Sequence, residues 1–127
     1  MLRVSVIQIE QEIGEVRALS SLLATTENID NIDYRHYYNV TSLLLSLIQT
    51  IQNKTLQIGV TKHSLQDSEH AVFDILLDYL EQTISYLTLT LNTSIASIDL
   101  NACATLTSRL TLEIEVSFQE WCESSII

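Results

Sequence analysis

No proline interrupts this 127-residue chain, and its only glycines are Gly14 and Gly59. The two strongest punctuators of a backbone are nearly missing, so sharp turns are few and the elements must be few and long. Apolar residues spaced alternately by three and four mark one face of a helix. Such runs are Val6, Ile9, Ile13 and Val16, then Tyr37, Val40, Leu44, Leu47 and Ile51. The clearest is Phe73, Leu77, Leu80, Ile84, Leu87 and Leu91, with Ser64 and Asp67 ahead of it as capping groups. A more ragged run follows in Cys103, Leu106, Leu110, Ile114 and Trp121.

Asn28 to Asp33, Gly59 to His63 and Asn92 to Ser97 have turn-forming composition and separate these runs. Short loops make successive helices antiparallel neighbours. The spacing therefore predicts an all-α, antiparallel up-down-up-down four-helix bundle, a single helical domain over residues 1–127. Phe73, Leu80, Ile84 and Leu110 are its expected core. A period-two signal competes, because Leu110 to Phe118 alternates throughout, and Leu56, Ile58 and Val60, like Leu87, Leu89 and Leu91, alternate more briefly. The alternative is an α+β fold with strands near 55–61, 86–91 and 110–118. Helix is preferred, since a sheet would have to make its hairpin turns almost without glycine or proline.

Sixteen Asp and Glu against six Lys and Arg give a formal net charge of −10. That balance opposes nucleic-acid phosphates and anionic lipid, and favours a basic protein partner or a cation. The first residues alternate apolar with polar where a secretory signal needs an unbroken apolar run. The most apolar window, Leu43 to Ile51, is about half a membrane span in length. A soluble cytoplasmic protein is expected. On one helix Cys103 and Cys122 would lie about 28 Å apart, so they read as reduced packing residues. The glycosylation triplets at Asn39, Asn53 and Asn92 are chance matches in a chain rich in Ser and Thr.

The search for chemistry returns exclusions. Two glycines cannot build a phosphate-cradling loop or a dinucleotide fingerprint, and no serine sits in a nucleophile elbow. The cysteines lack partners at zinc-ligand spacing, and a calcium loop starting at Asp30 would lack its glycine. HEPN-type ribonucleases carry histidine four to six residues after an arginine, which none of Arg3, Arg17, Arg35 or Arg109 has. No histidine stands in the His-x-x-Lys-Gly setting of phosphotransfer domains. His63, Asp67, His70, Asp74, Asp78 and Glu81 recur one turn apart, a spacing at which imidazoles and carboxylates can share a divalent ion. The helical wheel turns that stripe away from Phe73 and Leu80, which makes it a solvated face. Tyr34 to Tyr38 could hold an anion through Arg35, His36 and a helix N-terminus, but aromatic packing at a bundle end is the preferred reading. No catalytic residue, cofactor or metal site is predicted.

What remains is the placement of charge. In an alternating bundle twelve acids and three bases share one end, giving −9, and four acids and three bases share the other, giving −1. The expected function is an acidic, non-catalytic interaction module that caps a basic surface, of the inhibitor or immunity-protein kind. Its expected contact residues are Asp67, Asp74, Asp78, Glu81, Glu113, Glu115 and Glu120. The alternative is a self-assembling structural or scaffold subunit joined through the uncharged 82–98 region. A metal-dependent enzyme using the His63 to Glu81 stripe ranks third.

Overall fold

The computed structural model contains four helices: α1 Leu2–Ala24, α2 Tyr34–Thr61, α3 Asp67–Asn92 and α4 Leu100–Ser125. It describes residues 2–24, 34–61, 67–93 and 100–125, with side chains over 6–23, 37–58, 71–93 and 102–123. Each helix packs against its neighbours in sequence, and α4 closes the square against α1. Ser20 on α1 meets Thr111 on α4, while Glu10, earlier on α1, lines one cleft with Gln119, later on α4. The two helices are therefore antiparallel, as an up-down-up-down order requires.

Among the described residues there is no strand. Segments 55–61, 86–91 and 110–118 lie inside α2, α3 and α4. Their alternation has a different origin. In 110–118 the inward residues are Thr111, Ile114, Ser117 and Phe118, while Leu112 and Val116 are apolar residues left on the surface. Nor does α2 turn at Gly59, since the helix runs through Thr61. The other expected turns, 28–33 and 94–97, lie outside the described residues, as do Lys62 and His63.

The buried positions step by three and four along every helix. They are Val6, Ile9, Ile13, Val16, Ser20 and Leu23 on α1, and Tyr37, Thr41, Leu44, Ile48, Ile51, Thr55 and Ile58 on α2. On α3 they are Phe73, Leu76, Leu80, Thr83, Leu87 and Thr90, and on α4 Ala104, Thr107, Thr111, Ile114, Phe118 and Trp121, with Ser117 buried beside Phe118. This is the a/d seam of a seven-residue repeat, so the remaining positions can be labelled b, c, e, f and g. Phe73 and Leu80 are buried as expected. Ile84 and Leu110 are only half-buried, one position aside from Thr83 and Thr111, and Leu106 is exposed beside buried Thr107.

Several of the core hydroxyls are satisfied without leaving their own helix, whereas those of Thr41 and Thr55 have no hydrogen-bond partner among the described residues. Thr83 donates to the Tyr79 carbonyl at 2.7 Å, Thr107 to the Cys103 carbonyl at 2.7 Å, and Thr90 to the Leu87 carbonyl at 2.9 Å. The hydroxyls are concentrated toward one end. At the end shared by the start of α1 and the finish of α4, the core is filled by large side chains. Trp121 there stacks at 5.2 Å from Phe73 and 6.0 Å from Phe118. At the opposite end a small cluster of Leu23, Tyr37 and Ala104 sits beyond a layer rich in Thr.

Candidate functional site

The expected contact residues occupy one half of the rod but do not form one patch. Asp74 and Glu81 are exposed at b positions of α3, on the flank toward α2. Asp78 is at f, pointing away from the bundle, and accepts a 2.9 Å hydrogen bond from Gln82. Glu113 and Glu120 are exposed at c positions of α4, beside the groove shared with α3. Glu115 is at e on the far flank, half-buried against α1, with a carboxylate oxygen 4.0 Å from Arg17. Asp67 opens α3, and its side chain is outside the described residues. The carboxylates thus ring the bundle.

Two basic side chains tie this ring to α1. Lys54 of α2 pairs with Glu12, both at g positions of the α1–α2 contact. Arg17 reaches across the waist to α4, where it donates to the Ser108 carbonyl at 2.9 Å and the Thr111 hydroxyl at 3.0 Å. Glu115, Arg17 and Glu81 all stand near the middle of the rod, so the charge boundary is a gradient rather than a step. Beyond it, the only charged side chain among the described residues is Arg109.

One concave site in the acidic half was missed by reading the sequence. Glu10 of α1 and Phe118, Gln119, Cys122 and Glu123 of α4 line an open cleft of about 190 Å³. Two carboxylates stand at its walls, and a ring from the core forms part of its lining. Such a cleft matches the end of a Lys or Arg side chain, whose methylenes need apolar cover and whose head needs a carboxylate. The clue was available in principle. Glu10 and Cys122 both hold e positions, which border the α1–α4 contact once those helices are known to be neighbours.

The other two constellations separate. In the stripe, His63 lies outside the described residues, as do the side chains of Asp67 and His70, while Asp74, Asp78 and Glu81 are exposed. Among the described residues no group of three His, Cys, Asp or Glu is placed to hold a metal ion. In the 34–38 segment, Tyr37 enters the core and Tyr38 is exposed, and the side chains of Tyr34, Arg35 and His36 are outside the described residues.

Tyr37 belongs to a small polar cluster. Its hydroxyl is buried facing the Cys103 thiol and the Thr41 and Thr90 hydroxyls, and none of them closes a well-aligned hydrogen bond on it. Burial, and then the neighbouring Cys103, push the phenol up to about 12. The same two causes raise Tyr86, which borders Cys103 from α3.

No family model, curated protein or solved structure matches the chain. No helix among the described residues is long and apolar enough to cross a membrane.

Proposed function

We propose that this chain is an acidic, non-catalytic interaction protein that caps a basic surface on another protein, in the manner of an inhibitor, immunity protein or antitoxin. The observation that carries this reading is the gradient of charge along the rod. Ten described carboxylates, from Glu10 to Glu123, surround one half and its waist, whereas the other half carries only Arg109. Self-repulsion among like charges costs folding energy, and a basic partner relieves it while speeding encounter. The cleft between Glu10 and Glu123 offers such a partner one place to anchor a cationic side chain. Cys103 and Cys122 are not joined by a disulfide, which fits a reducing compartment such as the cytoplasm.

The test begins with capture of partners from the native host's lysate at low salt. A basic protein released by raising the salt is the expected result. Its association rate is then measured against two variants with matched circular dichroism. One reverses Asp74, Asp78, Glu113 and Glu120 to Lys. The other reverses Glu27, Asp30, Asp33 and Asp99, which in sequence adjoin the opposite end. The first should slow association at least about tenfold at low salt and the second much less. The reverse order would overturn the reading.

A further inference from the structure

We propose that a second copy of this chain docks on the outer α3–α4 face of the weakly charged half, through Leu89 and Leu106. Leu89 is the most exposed large hydrophobic residue described, at 63%, and Leu106 is 39% exposed. Both hold c positions, which flank the groove between α3 and α4. Tyr86 and Cys103 adjoin one another across that groove, and Leu89 and Leu106 each follow one of them by three residues. The four side chains therefore make one continuous strip, widened by half-buried Leu110. Isolated surface leucines are ordinary; a contiguous apolar strip containing a tyrosine is the composition of an interface.

Charge selects the occupant. A second copy carries the same −10, so it is the partner that the acidic half repels most directly. Only the opposite half can receive it, because its sequence count is −1 against −9 and Arg109 is the sole charge among its described side chains. Turned end for end, the two copies overlap by their weakly charged halves and point their acidic halves outward. Helices of 26 residues are about 39 Å long, so the acidic halves then lie well beyond the Debye length of about 8 Å at physiological salt. The acidic halves stay open, so this contact does not depend on a basic partner. An exposed leucine pair also lies on the opposite side, at Leu22 and Leu43 of α1 and α2. Among the described residues it has neither a tyrosine nor a cation beside it, and it serves as the control.

Sedimentation velocity of the full chain over rising concentration reads the outcome. The 14.4 kDa chain should shift toward twice that mass, and salt should tighten the association by screening residual repulsion. A basic partner would respond to salt in the opposite direction, which separates the two readings. Leu89→Glu/Leu106→Glu should raise the dissociation constant about tenfold or more with unchanged circular dichroism, while Leu22→Glu/Leu43→Glu should leave it in place. Should the double glutamate variant fail to fold, Leu89→Gln and maleimide labelling of the wild-type protein decide. Cys103 should be labelled more slowly as concentration rises, with Cys122 as the internal reference. A chain that stays monomeric to about 100 μM, an association weakened by salt, or one abolished at Leu22 and Leu43 instead would overturn the proposal.

Discussion

Ser20 and Thr111 meet hydroxyl to hydroxyl at 2.9 Å inside the bundle, although 91 residues separate them in the chain. Thr111 can donate to the Ser108 carbonyl at 3.0 Å and Ser20 to the Arg17 carbonyl at 3.1 Å, so the two hydroxyls share two protons among three contacts while Thr111 also accepts from Arg17. The first and last helices are therefore joined by a polar knot in which one oxygen serves three partners. Thr111→Val keeps the shape and removes that oxygen, so it should cost about 1–2 kcal/mol in urea unfolding. Combining it with Ser20→Ala should cost less than the sum of the two, by about 0.5 kcal/mol or more. Full additivity would show that the two hydroxyls are not coupled.

Gly14 is an exposed residue in the middle of α1, and a methyl group added there would meet nothing within 4 Å. It has no steric reason to be glycine. Replacing it by alanine should raise stability by about 0.5–1 kcal/mol through the lost flexibility of the unfolded chain. Equilibrium denaturation checks this, and a loss of stability would mean that the backbone there is not plainly helical.

Thr55 is fully buried on α2, and its hydroxyl has no hydrogen-bond partner among the described residues. Thr83 is equally buried but gives its proton to Tyr79. Valine has the same shape as threonine. Thr55→Val should therefore stabilise the fold by up to about 1 kcal/mol, and Thr83→Val should gain less or lose a little. Equal effects at the two positions would contradict the difference in their hydrogen bonding.

Tyr37 titrates late, at about 12 against an ordinary 10.0, because its anion would be desolvated and would face Cys103. The folded state then holds a proton that the unfolded state has released. Stability from this group is complete below pH 10 and falls as the pH rises from 10 toward 12. Tyr37→Phe should flatten that alkaline decline, leaving the part due to Tyr86, and should cost little at neutral pH. An unchanged slope in alkaline unfolding experiments would remove Tyr37 as its source.

The four-helix architecture was legible because the missing proline and glycine left little else for runs of three-four spacing to become. On α1 the seam was read correctly at Val6, Ile9, Ile13 and Val16. On the other helices the apolar reading caught Tyr37, Leu44, Ile51, Phe73, Leu80, Leu87, Ile114 and Trp121 but slipped by one residue between them, taking Val40 for Thr41, Leu77 for Leu76, Ile84 for Thr83 and Leu110 for Thr111. At Thr83 and Thr111 the cause is a hydroxyl that returns its proton to its own helix and is cheap to bury, while an apolar neighbour mimics the seam. At Leu76 and Leu77 two adjacent leucines leave the phase undecided. Of the candidate site, the exposure of single acids such as Asp74 and Asp78 could be read from their phase on the helix. Their division among separate faces could not, because spacing along one helix carries no information about which neighbour flanks it. Glu10 and Glu123 come together only when the bundle closes.

The self-contained hydroxyls have a mechanical consequence. Thr83, Thr90 and Thr107 bond to carbonyls of the helix that carries them. Sliding α3 or α4 lengthwise against its neighbours breaks none of those bonds. The vertical setting of these helices is fixed instead by the shapes of Phe73, Phe118 and Trp121 at one end and by the Arg17–Ser20–Thr111 knot at the waist. Lengthwise register is thus set from one end of the rod to its middle, and the self-bonded threonines beyond it add nothing to that register.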